Sequence, residues 1–481
     1  MKDFAPVIRV IGILLLILAV MMIPLVLFDV IRHERGLPAI EWAMFTSIFL
    51  GSLCVVVGYK PGEFFLDRRQ AFLLTTASWF VLPAVAAIPF LGAGMSMVDA
   101  YFEAASGFTT TGATVLTDLD TLPAALLFWR SFLQWIGGIG IIVMALFMLP
   151  FMRVAGMQLF RTESSDTSDK VLASSTDLIR TIGAIYLGMT IVCAIIYGLL
   201  GMTAFDAVNH AMTTVSTGGY STHDSSFGYF QNMALQWVAI VFMVLAAIPF
   251  VIYVRALNLA TLNFTSDAQV PLFLWMLGLT TLGVGLSLAY LDDMAIGEAL
   301  TAAAFNIVSV VTTTGYATVD YTQWGNWAVG LFFLLTVVGG CSGSTSGGIK
   351  MYRFQILYLL IMSHLKGLVS PSRVTPINYN GRHIETDLIQ SILSFLIIFM
   401  VLIALVAAAL TMMGLDLLTA LTAGATSVAN VGPGLGPIIG PAGNFAPLPD
   451  AAKAILSFAM IAGRLEFFTL MVMLTKAFWV R

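Results

Sequence analysis

Residues 99–114 read DAYFEAASGFTTTGAT, and three later stretches restate them: DAVNHAMTTVSTGGYST at 206–222, EALTAAAFNIVSVVTTTGYAT at 298–318 and DLLTALTAGATSVANVGPGLG at 416–436. Each opens on an acid, runs on as a short apolar stretch rich in Ala, Thr and Ser, and closes on a tight glycine element. The closing glycines, Gly112, Gly219, Gly315 and Gly432, recur at intervals of 107, 96 and 117 residues, which marks an internal repeat. A helix of about 12–16 residues rises only about 18–24 Å, too little to cross a bilayer. The acid at its outer end is expected to cap unpaired N–H groups. Its C-terminus then points into the membrane with about half a negative charge, which favours a cation. The loop that follows is irregular backbone at membrane depth, tolerated only inside protein or beside water. Four such loops on a pseudo-fourfold axis can ring an ion with carbonyl oxygens.

The rest of the chain fits that setting. Of 481 residues, 59% are hydrophobic and 10% charged, with a mean hydropathy of +0.94; soluble domains carry about 25% charged residues. Apolar runs long enough to span a bilayer lie near 7–30, 39–58, 71–91, 123–150, 179–201, 231–256, 270–290, 325–360, 387–412 and 452–479. The fold class expected is therefore an all-α polytopic membrane protein. Its four span–pore-helix–loop–span repeats occupy 61–150, 151–256, 257–373 and 374–481, after an N-terminal pair of spans in 1–60. The first run is too long for a signal peptide and lacks a small-residue cleavage site.

Basic residues orient the chain. Lys60, Arg68 and Arg69 share one connection, Arg153, Arg161, Lys170 and Arg180 a second, and Lys350, Arg353, Lys366, Arg373 and Arg382 a third. With Lys2, Arg9, Lys476 and Arg481 they place both termini in the cytoplasm; Arg32 and Arg35 run against the rule. On the opposite side, 92–122, 202–229, 291–327 and 411–453 hold Lys453 as their only Lys or Arg, against twelve acids: Asp99, Glu103, Asp118, Asp120, Asp206, Asp224, Asp292, Asp293, Glu298, Asp320, Asp416 and Asp450. Such a face concentrates cations. Arg130, near the outer start of its span, is expected to snorkel.

Other chemistries find little support. Cys54, Cys193 and Cys341 are isolated, the five histidines do not fall at metal-ligand spacing, and His210 reads as a satisfied polar contact. No basic tract points to nucleic acid, and no nucleophile–base–acid set points to an enzyme. Residues 339–348, GGCSGSTSGG, break the span at 325–360 with five glycines in ten residues; they lack the GxxxxGK spacing and preceding strand of a phosphate-binding loop. Arg464, inside the last span with Glu466 two residues on, must face protein or water. A secondary transporter with broken helices around a midplane site is the alternative, though four repeats in one sense favour a central pore.

These residues also carry a resemblance. SGFTTTGATV at 106–115, VSTGGYST at 215–222, VTTTGYAT at 311–318, ANVGPGLG at 429–436, GGCSGSTSGGIK at 339–350 and GRLEFFTL at 463–470 make the chain similar to the TrkH family, the membrane subunits of Trk potassium-uptake systems in the Trk/Ktr/HKT superfamily. The resemblance implies a potassium-binding selectivity filter formed by Thr110, Thr111 and Gly112; Thr217, Gly218 and Gly219; Thr313, Thr314 and Gly315; and Asn430, Val431 and Gly432. In that family, glycine in all four repeats goes with potassium over sodium, whereas serine in the first goes with sodium. The fourth repeat departs from the pattern by lacking the Thr-Gly pair. The resemblance further implies an intramembrane gate beneath the filter, Gly340, Cys341, Ser342, Gly343, Ser344, Thr345, Ser346 and Gly347, with Lys350 and Arg464 beside it. It implies potassium as the transported ion with no organic cofactor, and a homodimer in the inner membrane. It also implies a cytoplasmic nucleotide-binding subunit of the TrkA type, and leaves symport with protons or sodium open.

Overall fold

A bilayer offers backbone N–H and C=O groups no partners, so the apolar runs close their hydrogen bonds internally as helices. The computed structural model describes residues 4–26, 38–60, 66–148, 175–259, 263–291, 293–370 and 376–479. Lys2, Arg32, Arg35, Arg153, Arg161, Lys170, Asp292, Arg373 and Arg481 lie outside them. Among the described residues the fold is all-α apart from one two-stranded ribbon, Asn378–Tyr379 (β1) with Arg382–His383 (β2).

Helices α1 (Ala5–Met21) and α2 (Pro38–Val57) pair closely; a Cβ on Gly12 would stand 2.6 Å from the Gly51 carbonyl oxygen. Helix α3 (Arg68–Ala86) opens on a capping box, with Gln70 N donating to Asp67 Oδ1 at 2.7 Å and Asp67 N to Gln70 Oε1 at 3.0 Å. Then come α4 (Met97–Phe108) and α5 (Ala124–Met148), α6 (Ser175–Leu199) and α7 (Ala204–Val215), α8 (Met233–Ala246) and α9 (Phe250–Leu259). They are followed by α10 (Gln269–Leu291), α11 (Ile296–Val311), α12 (Asn326–Val337), α13 (Met351–Val369), α14 (Thr386–Met412), α15 (Leu417–Ala429), α16 (Asp450–Arg464) and α17 (Phe468–Leu474). Seven described helices are long and apolar enough to span a bilayer. Leu199, Leu279 and Leu405 expose more than half of their surface, as lipid-facing side chains do.

Among the described residues, three of the ten runs are sharply broken. The one at 325–360 splits at its glycine-rich centre into α12 and α13, as its composition predicts. Those at 231–256 and 452–479 were expected to be continuous but bend by 87° between α8 and α9 and by 108° between α16 and α17. Pro249 helps end the first, since proline cannot donate the N–H a continuing helix needs. At the second, Glu466 and Phe467 both take positive φ, 53° and 55°.

The short helices α4, α7, α11 and α15 hold 12, 12, 16 and 13 residues and are mostly buried towards their C-terminal ends. The expected acidic cap holds for one of them. Asp416 caps α15, accepting from Thr419 N at 2.9 Å. In α4 and α7 the caps are Ser96 and Thr203, and Asp99 and Asp206 sit three residues further in, where their N–H groups donate to those hydroxyls at 3.1 Å. Helix α11 has no side-chain cap; Glu298 lies in its first turn. A carboxylate in the first turn still answers the positive end of the dipole, so the electrostatic role survives although the hydrogen bond belongs to a hydroxyl.

Candidate functional site: a ring of four glycine loops

The C-terminal ends of α4, α7, α11 and α15 are built alike. Thr110, Thr217, Thr313 and Asn430 occupy the left-handed region with φ of 53°, 51°, 59° and 57°. The next residues donate their N–H to Ser106, Thr213, Ser309 and Thr426 carbonyls at 2.9, 2.9, 2.8 and 3.0 Å. One residue on, Gly112, Gly219, Gly315 and Gly432 again have positive φ, 84°, 77°, 82° and 110°. Asparagine tolerates the left-handed region through its short polar side chain. The fourth repeat therefore keeps the backbone path despite lacking the Thr-Gly pair.

The loops meet in closed order. A Cβ on Gly112 would lie 2.2 Å from Gly218 O, one on Gly219 1.8 Å from Thr314 O, one on Gly315 2.0 Å from Val431 O, and one on Gly432 2.7 Å from Thr111 O. Each glycine thus abuts the carbonyl of the middle residue in the next repeat, and the fourth returns to the first. These contacts gather Thr111, Gly218, Thr314 and Val431 carbonyls around one axis, where any side chain on the glycines would intrude. Asn430 Nδ2 ties the fourth loop to Thr111 Oγ1 at 2.9 Å and to Met460 O at 2.9 Å.

Beneath the ring lies 339–348. Gly347 N donates to Thr313 Oγ1 at 2.7 Å, Gly348 N to Ala429 O at 2.8 Å, and Thr217 Oγ1 stands 3.2 Å from Thr345 Oγ1. The loop therefore reaches the second, third and fourth repeats, while the buried Thr110 Oγ1 of the first has no hydrogen-bond partner among the described residues. The bend between α8 and α9 receives the loop. Cys341 N donates to Ala247 O at 3.0 Å, Thr345 N to Ala246 O at 3.3 Å, and Phe250 N to Gly343 O at 2.9 Å. The helix-end groups freed at the break beside Pro249 are thus satisfied by loop groups. Arg464, 3% exposed, donates Nη2 to Thr345 O at 3.0 Å, and Lys350 Nζ donates to Ser346 O. Arg464, Lys350, Asn430 and Ser342–Gly343–Ser344 line one cavity, whereas Gly112, Gly219, Gly315 and Gly432 line another with Arg130, His223 and Asp224.

Several supporting groups escaped the sequence. Arg130 does not snorkel. It is 1% exposed, with Nε donating to Glu103 Oε1 at 2.8 Å, Nη1 to Ser221 O at 3.0 Å and Nη2 to Thr114 Oγ1 at 3.1 Å, its guanidinium 4.2 Å from the Tyr220 ring centre. This pair joins the chain leaving the first Gly loop to that leaving the second. Glu103, fully buried, therefore adds no free charge to the acid-rich face, and Asp99 is paired with Lys453 at 2.5 Å. Gln134 clamps the second loop, donating to Gly218 O at 2.6 Å and accepting from Tyr220 N at 3.0 Å. A Gln and an Arg inside one apolar run were the available signal. Glu466 pairs with Arg353 at 2.7 Å rather than with Arg464. His210 is satisfied, as expected, by Asp206 O at 2.9 Å and Ser221 Oγ at 3.0 Å. On the acid-rich side of the ring His223 lies between Asp120, hydrogen-bonded to Nδ1, and Asp206, 3.5 Å from Nε2. Burial pulls the His223 pKa down, but the two carboxylates outweigh it and hold the pKa above its ordinary value.

Comparison with known proteins agrees with this architecture. The family described as TrkH, cation transport protein, matches residues 37–479. The Trk system potassium uptake protein TrkI of Halomonas elongata is 44% identical, over 100% of this chain and 98% of its own. The Trk system potassium uptake protein TrkH of Vibrio parahaemolyticus is 35% identical over 99% of both. The crystal structure of the potassium transporter TrkH from Vibrio parahaemolyticus superposes with a TM-score of 0.91, at 33% identity and complete coverage of both chains. The chain belongs to the TrkH family of cation transport proteins.

Proposed function

We propose that this protein takes up potassium across the cell membrane through a channel-like pore. The four Gly loops act as its selectivity filter, organised by the repeats at 61–150, 151–256, 257–373 and 374–481. The observation that carries the reading is the closure of the ring, each filter glycine against the next repeat's carbonyl. Such oxygens replace the water around a cation, and the C-terminal ends of four buried helices add negative potential at the same point. The unpartnered Thr110 Oγ1 adds a polar atom that an ion or its water can satisfy. Potassium is the cargo in the names of the relatives, and glycine in all four repeats agrees with it.

The loop 339–348, with Lys350 and Arg464, is the proposed gate. It is supported by three tethers to the undersides of the filter loops and by a guanidinium on Thr345 O. A cytoplasmic nucleotide-binding subunit of the TrkA type, a second copy of this chain, inner-membrane placement and cytoplasmic termini complete the reading. They rest on the family resemblance and on the charge asymmetry of the connections.

Flux of potassium and sodium into liposomes holding the purified chain, with and without that soluble subunit, tests it. Potassium flux exceeding sodium flux, and increased by the subunit, is the expected result. Saturable uptake of an organic solute without cation permeability overturns it in favour of a broken-helix transporter. Shortening 341–347 should raise flux without the subunit; unchanged flux removes the gate from the proposal.

A further inference from the structure

The ribbon β1–β2 is tied to the loop beneath the filter through three side chains. At its tip Asn380, solvent-exposed, donates Nδ2 to Asp267 Oδ1 at 3.2 Å and accepts from Ala268 N at 3.2 Å. Tyr379 OH stands 3.4 Å from the same carboxylate oxygen. Asp267 is buried, and its other oxygen accepts Gln269 Nε2 at 2.8 Å. Gln269 is fully buried, and its Oε1 accepts the N–H of Ser342, inside 339–348, at 2.8 Å.

The order of these bonds has a physical direction. An ionised carboxylate only accepts, so Asp267 compels the Gln269 amide to present its NH2 and leaves the carbonyl oxygen for Ser342. A Gln269 amide turned the other way would face the Ser342 N–H with a second donor and leave both unsatisfied in a buried site. Asp267 Oδ1 is held from its own segment by Gln269 N at 3.1 Å and from the ribbon by Asn380 and Tyr379, so the ribbon contributes to the orientation of an amide that anchors the loop. The ribbon is not adrift: Tyr379 and Ile384 are buried with Tyr352 and Ile356 of α13, the helix that leaves the loop, and Gln355 Nε2 of α13 donates to Ala268 O at 2.6 Å.

We propose that Asp267, Gln269 and Asn380 are positioning residues that couple the β1–β2 ribbon to the loop 339–348. Displacement of the ribbon, as by a soluble protein docking on this face, then releases Ser342 and shifts the loop away from its seat under the filter. The proposal rests on the reading of that loop as the gate. Contiguity alone does not establish coupling, so the test is a double-mutant cycle.

The full chain is placed in liposomes and partner-free rubidium flux is measured for Gln269→Leu, Asn380→Asp and the double variant, beside a variant shortened in 341–347. Gln269→Leu should raise flux about fivefold, the ratio that one buried hydrogen bond sets. Asn380→Asp, which sets a second carboxylate against Asp267, should raise it in the same direction. The double variant should match Gln269→Leu alone, with the potassium-to-sodium ratio unchanged in all three. Additive effects, or unchanged flux in Asn380→Asp while loop shortening raises it, overturn the relay and leave the gate standing. Unchanged flux on shortening removes the gate itself and the relay with it. Asn380 is exposed, so its variant decides the matter even where Gln269→Leu does not fold.

Discussion

Replacing Gly219 by alanine probes the carbonyl ring directly. The new Cβ would stand 1.8 Å from Thr314 O, where real Cβ contacts do not fall below 3.0 Å, so that oxygen must retreat by about 1.2 Å, an overpacking that costs about 1–3 kcal/mol. The retreat works against the hydrogen bond from Thr314 N to Ser309 O, 2.8 Å, and the contact between the Thr312 and Thr314 hydroxyls, 2.8 Å. Alanine at a φ of 77° adds about 1–2 kcal/mol of left-handed strain. The total, about 2–5 kcal/mol, corresponds to a loss of flux of about thirtyfold or more if it falls on the conducting arrangement. Potassium and sodium fluxes in liposomes read it, and the potassium-to-sodium ratio should fall as well, because one oxygen of the ring is displaced. The same replacement elsewhere should follow the gap to the next carbonyl, severest at Gly219, then Gly315, Gly112 and Gly432, at 1.8, 2.0, 2.2 and 2.7 Å. Gly330→Ala, in α12 with nothing within 4 Å of its Cβ, is the control and should conduct normally. Normal flux and an unchanged ratio in Gly219→Ala would refute the idea that these carbonyls contact the ion.

Three further outcomes follow from buried or clustered charges. Arg464→Gln removes a positive charge from the chamber beneath the ring and should raise partner-free cation flux severalfold, while Arg464→Lys stays near the native value; equal flux in both shows a structural guanidinium only. Glu103→Gln strands the Arg130 charge in a site where it is 1% exposed and should destabilise the protein by about 3–5 kcal/mol, read as a lowered thermal midpoint that Glu103→Gln with Arg130→Met partly restores. Because the folded-state pKa of His223 is raised, its contribution is fully present below the unfolded value near 6.5 and is lost as pH rises through the folded value. His223→Gln should therefore lower the midpoint at about pH 6 but scarcely at about pH 9; an equal loss at both would show that its charge plays no part.

Much of this was legible in the chain itself, for identifiable reasons. The short helices announce themselves because a run of 12–16 residues cannot span, and an apolar run that cannot span must end inside. The break at 339–348 is legible because helix propensity falls by about 1 kcal/mol per glycine. The bends at 247–249 and 465–467 are less legible: Pro249 marks the first locally, but the partners that hold each bend lie in other segments. Ala246 and Ala247 give up helical bonds because Cys341 and Thr345 replace them, and Glu466 turns to reach Arg353. Arg130 misled for a similar reason: an arginine near a span's end snorkels unless a carboxylate waits inside, and Glu103 is 27 positions away in sequence.

What the sequence determined by itself is what depends on composition and local pattern: membrane residence, four units, and a glycine wherever a left-handed turn must pass a neighbouring backbone. Only the tertiary structure decided which carbonyl each glycine faces, that Asn430 follows the path of three threonines, and that 339–348 hydrogen-bonds to repeats two, three and four. Local pattern is written along one stretch of chain, whereas a ring is a relation among four stretches about a hundred residues apart. Each sets its glycine against its neighbour's carbonyl and so excludes a side chain there, and no one of them encodes that alone.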